Sequence, residues 1–188
     1  TPVADYSFSA ACQGESTFFT DESTIDASSS IVSWSWNMDD GSGLITIVDP
    51  SHVFAAVGTY DVELTVLSAE GCSNAVTQSV EVTPVPIAGF TFVEGCEGNP
   101  TVFTNTSTIA SGSLNYAWDF GDGNTSTDED PSNTYVLDGT YTVTLTVTND
   151  NGCEDVITQS VTVDNSPTAL FTASTECEGF ATEFTNLS

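Results

Sequence analysis

The sequence contains no lysine or arginine and one histidine, against 27 aspartate and glutamate residues, so the formal net charge at pH 7 is −27. Charged residues usually make up about a quarter of a globular chain and carry both signs. Without cations the chain cannot neutralise phosphates, which excludes nucleic-acid binding by the usual electrostatic route. No apolar run approaches the roughly 18 residues that a membrane span needs. We therefore expect neither a nucleic-acid partner nor insertion into a membrane.

Residues that favour helices are scarce, whereas threonine, serine, valine and phenylalanine are abundant. This composition is typical of β-sheet. Apolar residues make up 39% of the chain and aromatic residues 10%, which is enough to form a buried core and argues against disorder. The sequence therefore predicts an all-β protein.

The sequence repeats itself every 81 to 84 residues. Residues 58–66 (GTYDVELTV) return as 139–147 (GTYTVTLTV), and residues 77–82 (TQSVEV) return as 158–163 (TQSVTV). A Cys-x-Gly pattern followed by Phe-Thr occurs three times, beginning at Cys12, Cys96 and Cys177. Such self-similarity indicates an array of similar units.

The repeat divides the chain into a first unit at 1–84, a second at 85–166, and the N-terminal part of a third at 167–188. Within each complete unit, short runs such as residues 44–48 alternate apolar and polar residues, which predicts strands, and turn signals separate these runs. About seven strands per unit predict a two-sheet, immunoglobulin-like sandwich with its own core. We expect the 188 residues to belong to a longer tandem array whose units are joined by short proline-containing linkers.

Each complete unit carries one cysteine after its first strand and one before its last. The simplest pairing is Cys12–Cys72 and Cys96–Cys153, with Cys177 paired to a cysteine outside this sequence. The alternative is a pair of buried free thiols in each unit. Metal ligation is less favoured, because no Cys-x-x-Cys motif is present. Disulfides predict an oxidising compartment outside the cytoplasm.

The most informative motif is Trp118-Asp-Phe-Gly-Asp-Gly123, followed by Asp130-Pro-Ser-Asn-Thr-Tyr135 and Gly139-Thr-Tyr-Thr-Val143. It resembles the polycystic kidney disease (PKD) domain, and the first unit matches with departures at Asn37 and Asp39. The resemblance covers both complete units and the beginning of the third, and it implies an immunoglobulin-like sandwich. It also implies a linking or polymer-binding role of the kind that PKD domains have in secreted hydrolases.

Acidic residues are dense in the motif loops. The resemblance to PKD domains, some of which bind calcium, implies a candidate calcium site here. Oxygen ligands at this density suit Ca²⁺, which takes six to eight of them. The alternative is that these carboxylates are solvated turn residues that bond their own backbone. The candidate calcium ligands are Asp39, Asp40, Asp49, Asp119, Asp122 and Asp130, with Asn124, Asp128 and Glu129 nearby.

The sequence offers no catalytic constellation. Its one histidine, His52, corresponds to Asn133 in the second unit, so the units share no imidazole. No Ser-His-Asp, Cys-His or phosphate-binding loop can be assembled. Trp36 and Trp118 are predicted core residues, and a sugar-stacking strip at Trp34 and its counterpart Tyr116 is the alternative use of aromatics.

The favoured function is non-catalytic: an elongated extracellular stalk or filament of a large cell-surface protein, similar to the repeat-rich adhesins of gliding Bacteroidota. Its partners would be neighbouring repeats of the same chain, with self-association into filaments as a further possibility. Structural Ca²⁺ is the one cofactor considered. The alternative is a carbohydrate- or protein-binding or linker module of a secreted multidomain hydrolase.

Overall fold

The computed structural model describes residues 1–188 and consists of strands, turns and loops. No helix in it is both long and apolar enough to cross a membrane. The strands of the first unit are β1 (Tyr6–Phe8), β2 (Ser16–Asp21), β3 (Ile31–Asn37), β4 (Ser51–Val53), β5 (Gly58–Ser68) and β6 (Ser73–Val82). Those of the second are β7 (Phe90–Val93), β8 (Pro100–Asn105), β9 (Leu114–Asp119), β10 (Thr125–Ser126), β11 (Ser132–Thr134), β12 (Gly139–Asn149) and β13 (Glu154–Val163). Two more, β14 (Phe171–Ala173) and β15 (Phe184–Asn186), begin the third.

Each complete unit is a sandwich of two antiparallel sheets, as the sequence predicts. In the first unit the strand orders are β1-β2-β4 and β3-β5-β6. In the second they are β7-β8-β11 and β10-β9-β12-β13. The strict alternation in β5 and β12 places one face of each strand in the core, because successive side chains point to opposite sides of a sheet. The all-β, immunoglobulin-like fold class is confirmed.

Each unit has its own hydrophobic core, built around a tryptophan on its third strand. Trp36 is fully buried, and its ring centroid lies 5.1 Å from that of Tyr6. Trp118 holds the same position in the second unit, 5.1 Å from the ring of Phe90. The cores comprise 12 and 11 buried residues and share none of them. The predicted core role of both tryptophans is confirmed.

One predicted strand is reduced to a single bridge. The alternating run at 44–48 was expected to form a strand, but only Ile45 pairs with the sheet, through a bridge to Trp36. The corresponding segment of the second unit forms the two-residue β10 beside β9. Glycine and aspartate on either side of the first run favour turns and limit the strand to this one pair.

Candidate functional site

The two complete units are joined by a disulfide. Cys12 lies in the turn between β1 and β2 of the first unit, and Cys153 closes the hairpin between β12 and β13 of the second. These two cysteines are bonded, with their Cα atoms 5.6 Å apart, and both are buried. Cys72, Cys96 and Cys177 are free and exposed. The structure thus places its one disulfide between units.

The predicted pairing Cys12–Cys72 and Cys96–Cys153 is therefore wrong. Cys12 forms a bridge with Thr83, at the far end of β6 from Cys72. The extended chain between Cys72 and Thr83 includes the 10 residues of β6, which span about 33 Å at a strand's rise of roughly 3.3 Å per residue. A disulfide requires Cα atoms within about 7 Å. The two cysteines of one unit lie at its opposite ends and cannot meet.

The linker between the units is paired to the turn that carries Cys12. The backbone N–H of Gln13 donates to the carbonyl of Thr83 at 2.9 Å, and the N–H of Thr83 donates to the carbonyl of Ala11 at 3.0 Å. These bonds extend the ladder of the first unit just beyond β6. Pro84 follows directly and favours an extended backbone. The exit of the first unit is thereby fixed before the chain enters the second.

The hairpin of the second unit clamps this linker from the other side through Asn149. The buried amide of Asn149 donates to Oγ1 of Thr83 at 3.1 Å and to the carbonyl of Pro84 at 3.0 Å. Its Oδ1 accepts bonds from the backbone N–H groups of Asn151 and Cys153 at 3.0 and 2.9 Å. One side chain therefore holds both the hairpin tip and the linker. The sequence did not single out Asn149, because its counterpart in the first unit is Ser68.

The acidic motif loops are organised by hydrogen bonds within each turn. Oδ1 of Asp119 accepts a bond from the N–H of Gly121 at 2.9 Å. Asn37, at the same place in the first unit, accepts one from the N–H of Asp39 at 3.1 Å through its amide oxygen. The exchange of aspartate for asparagine thus preserves the turn, because this bond needs only an oxygen acceptor.

A second carboxylate in each motif ties the turn to a neighbouring strand. Oδ2 of Asp122 accepts a bond from Nδ2 of Asn133 at 2.8 Å. In the first unit, Asp40 and His52 make the equivalent contact at 2.6 Å. Partial burial raises the pKa of Asp40, but hydrogen bonds from Ser42 and His52 outweigh it and hold the pKa at about 2, below the ordinary 3.8. The histidine thus has the structural role that an asparagine fills in the second unit.

The remaining candidate ligands also serve as acceptors. Asp49 accepts a bond from the N–H of Asp21 and Asp130 accepts one from the N–H of Asn105, both at 2.8 Å, and Oδ2 of Asp39 accepts one from the N–H of Asp61 at 3.1 Å. The structure brings together no group of three histidine, cysteine, aspartate or glutamate side chains placed to hold a metal. The predicted calcium site at Asp39, Asp40, Asp49, Asp119, Asp122 and Asp130 stays a prediction.

Trp34 and Tyr116 do not form an open stacking surface. Trp34 is partly buried against the core, and its indole N–H donates to Oδ2 of Asp21 at 2.7 Å. Its counterpart Tyr116 also packs against its core, and burial together with nearby carboxylates raises its pKa. Every tryptophan and tyrosine side chain in the protein is buried or partly buried. The structure therefore does not favour the sugar-stacking strip that the sequence left open.

Comparison with known proteins agrees with the fold and the motif. A family model described as the PKD domain matches residues 1–85 and again residues 83–164. The chain belongs to the PKD domain family. PKD domains are non-catalytic modules, and the distinctive geometry of this chain is the junction between its two units.

Sequence relatives of these PKD units occur within bacterial enzymes. The pre-pro-metalloprotease PrtV of Vibrio cholerae is 46% identical over 79 residues, which cover 42% of this chain and 8% of that protein. Collagenase ColA of Bacillus cereus is 46% identical over 54 residues, covering 29% of this chain and 6% of that protein. The chain thus spans less than a tenth of either relative. A structure of the fibronectin(III)-like modules of CbhA from Clostridium thermocellum matches 88% of this chain and 95% of its own at a TM-score of 0.53 and 12% identity, which shows the fold alone.

Proposed function

We propose that this chain is a structural segment of an extracellular stalk, in which PKD units are joined end to end to hold a distal part of a large adhesin-type surface protein away from the cell. The observation that carries the proposal is the junction. A disulfide, a strand-like linker and the Asn149 clamp all act between consecutive units. A module that only tethers a neighbouring domain needs none of these constraints.

The position of the junction supports an elongated arrangement. The turn that carries Cys12 lies at the end of the first unit where the chain leaves it, beside Thr83. The hairpin that carries Cys153 lies at the end of the second unit where the chain enters it, because the N–H of Ala88 donates to Asp155 at 2.8 Å. The exit end of one unit therefore meets the entry end of the next. Repetition of this contact gives a rod in which each unit contacts its neighbours.

Charge and disulfide chemistry support an extracellular location. A disulfide persists in oxidising compartments, which include the cell surface and the secreted space. A net charge of −27 with no lysine or arginine keeps neighbouring rods apart and soluble. Proteases that require lysine or arginine find no site in this chain. The relatives are a metalloprotease and a collagenase, whose PKD units fit the same setting.

Small-angle X-ray scattering on the oxidised chain tests the rod. The strand β12, which has 11 residues, spans about 36 Å at roughly 3.3 Å per residue, so two units end to end span about 70–80 Å. Residues 167–188 follow the second unit, so the maximum dimension of the chain is at least this value. A single distribution that extends to this length or beyond, unchanged by salt, is the expected result. A maximum dimension near that of one unit would mean that the units fold back on each other and would refute the stalk.

The relatives favour a second function, in which the units bind a polymer on behalf of an enzyme in the same protein. Sedimentation with insoluble cellulose, chitin and collagen fibrils separates the two, since the stalk predicts that the chain stays in the supernatant with each of them. Trp34→Ala is the matched variant, because Trp34 is the largest partly exposed aromatic side chain. Retention of the chain by one polymer, lost in this variant, would establish the binding function instead.

A further inference from the structure

The turn cysteine has the same local geometry in all three units. In each turn the cysteine carbonyl accepts a hydrogen bond from the backbone N–H three residues later. The glycine two residues after each cysteine has a positive φ between 76° and 96°. The bonds are Glu15 N–H to Cys12 at 3.1 Å, Asn99 N–H to Cys96 at 2.9 Å and Phe180 N–H to Cys177 at 3.1 Å.

The hairpin cysteine likewise has the same geometry in both complete units. The carbonyl of Cys72 accepts a bond from the N–H of Ser68 at 2.8 Å, and the carbonyl of Cys153 accepts one from the N–H of Asn149 at 2.9 Å. The glycine before each cysteine has a φ of 83° or 86°. Cys72 therefore projects from its unit at the place where Cys153 projects from the next.

The exit of the second unit copies the exit of the first. The N–H of Glu97 donates to the carbonyl of Asp164 at 2.8 Å, just as the N–H of Gln13 donates to that of Thr83 at 2.9 Å. Cys96 therefore lies beside the exit of the second unit as Cys12 lies beside the exit of the first. Cys12 is covered by the hairpin of the following unit, whereas Cys96 is exposed.

We propose that the disulfides of this array form a staggered ladder, in which the turn cysteine of every unit is bonded to the hairpin cysteine of the unit that follows. Cys96 takes the hairpin cysteine of the third unit, and Cys72 takes the turn cysteine of a unit preceding the first. The ladder rests on the proposed stalk, because it needs a neighbour at both ends of a unit. It makes Cys72 and Cys96 cross-linking sites for further copies of the same fold.

Each rung forms by oxidation of two thiols. One cysteine thiolate attacks the disulfide of a small-molecule or protein disulfide oxidant and forms a mixed disulfide, and the second thiolate then displaces the oxidant's remaining sulfur. The two cysteines lose two protons and two electrons, and the oxidant disulfide is reduced to two thiols. Oxidised glutathione serves as the oxidant in the test below.

Disulfides between consecutive units limit how far the array can extend under tension, which disulfides within units would not do. The loop closed by Cys12 and Cys153 already contains Cys96, so the loops of consecutive rungs overlap. The shortest covalent path along the array crosses the Cys12–Cys153 disulfide and follows the chain from Cys153 to Cys177. It then crosses the disulfide that the ladder assigns to Cys177 and the hairpin cysteine of a fourth unit. The loop between Cys12 and Cys153, which includes most of two consecutive units, lies outside this path. Unfolding of a unit under tension therefore adds little length to the stalk.

Completion of the third unit tests the ladder. Ser188 aligns with Ser107, so residues 108–166 are appended after Ser188 to supply a third hairpin with its cysteine. The appended copy carries Glu154→Asp, so that its cysteine peptide differs in mass from that of Cys153. The protein is refolded with oxidised glutathione, alkylated, and cleaved at acidic and aromatic residues for disulfide mapping by mass spectrometry. We expect Cys12–Cys153 and a bond from Cys96 to the added hairpin cysteine, with Cys72 and Cys177 alkylated. A bond between Cys177 and the added cysteine of its own unit would overturn the proposal.

A second chain guards against a third unit that fails to fold. Residues 1–165 are followed by a complete copy of residues 85–166. The copy carries Glu97→Asp and Glu154→Asp, so that its two cysteine peptides differ in mass from those of the second unit. Alkylation of Cys96 in both chains would also overturn the ladder. Scattering from the original chain does not involve Cys96, so a rod there combined with a failed rung would refute the ladder and leave the stalk standing.

Discussion

Removal of the disulfide between the units should both destabilise them and uncouple their unfolding. The perturbation is the double substitution Cys12→Ser and Cys153→Ser. The bond joins cysteines 141 residues apart and closes a loop of that length when both units are unfolded, which corresponds to about 5.0 kcal/mol of lost denatured-state entropy at 25 °C. That figure is the expected loss of free energy of unfolding for the chain as a whole.

The bond acts almost as strongly on either unit alone, because both cysteines lie beside Thr83. When the second unit unfolds on a folded first unit, the open loop runs over the 70 residues from Thr83 to Cys153, and the bond opposes this by about 4.4 kcal/mol. Unfolding of the first unit alone opens a stretch of almost equal length, from Cys12 to Thr83, and is opposed by nearly the same amount. Once one unit is unfolded, the bond opposes unfolding of the other by less than about 1 kcal/mol more. Unfolding of one unit therefore makes unfolding of the other easier by about 4 kcal/mol, which is the coupling free energy of the bond.

Calorimetry distinguishes these two effects. The oxidised chain should melt in one transition whose van't Hoff and calorimetric enthalpies agree, whereas the double variant should melt as independent units with a van't Hoff enthalpy near half the calorimetric one. For units of about 80 residues, 4 kcal/mol corresponds to a fall in Tm of roughly 15–30 °C. Cys72→Ser with Cys96→Ser is the matched control and should leave the melting curve unchanged, because both thiols are free and exposed.

The reasoning is refuted if the double variant melts within a few degrees of the parent chain, or if it still melts as one cooperative step. The first outcome would mean that the bond does not constrain the unfolded chain. The second would mean that the Asn149 clamp and the paired linker couple the units without it. Reduction of the parent chain with excess dithiol should reproduce the variant in either case.

The remaining predictions concern the turns. His52→Ala should lower the free energy of unfolding of the first unit by about 1–3 kcal/mol and His52→Asn by much less, measured by urea unfolding, because an asparagine makes this contact in the second unit. Since the pKa of Asp40 is lowered to about 2, its contribution is complete above the ordinary value of 3.8 and should be lost as the pH falls from about 4 to 2. Gly121→Ala should cost more than the roughly 1–2 kcal/mol of its positive φ, because the new Cβ would lie 2.5 Å from the carbonyl oxygen of Thr142, whereas Gly123→Ala, with open space around it, should cost only the φ term. Ca²⁺ and Mg²⁺ at equal concentration should raise Tm equally through screening, and a rise of ten degrees with Ca²⁺ alone would establish the predicted calcium site instead.

The fold could be predicted because its signals are local. Alternation in residues 58–68 and 139–149 determines which side chains face the core, and the repeat shows that the pattern serves two separate cores. The motif tryptophans follow from their place on the third strand. The alternation pattern does not determine the length of a short strand. Residues 44–48 show this, because only Ile45 pairs with the sheet. Strand length there depends on the turns on either side rather than on the apolar pattern.

The disulfide could not be predicted from the repeat alone, because the repeat fits two pairings equally well. Its spacing allows Cys12 to pair with the hairpin cysteine of its own unit or of the next. The deciding signal is the length of β6, whose 10 residues separate Cys72 from the exit of its unit. The length of β6, about 33 Å at roughly 3.3 Å per residue, places the two cysteines of a unit at its opposite ends. The motif acids cannot be assigned from their density alone. Each candidate ligand accepts a bond from a nearby N–H or from His52, and the calcium site stays a prediction.

The absence of lysine and arginine explains why a junction in this chain needs a covalent bond. Interfaces between domains are commonly polar and include ion pairs, but this chain has no lysine or arginine to supply them and repels itself at −27. The junction contacts are accordingly uncharged: the amide of Asn149, the hydroxyl of Thr83, and Ala10, whose Cβ lies 3.8 Å from the position of a Cβ built on Gly152. None of these contacts carries a charge that offsets the repulsion between two acidic units at low ionic strength. A disulfide is insensitive to salt, so it holds the junction at any ionic strength, and in the proposed stalk it would keep the units in line.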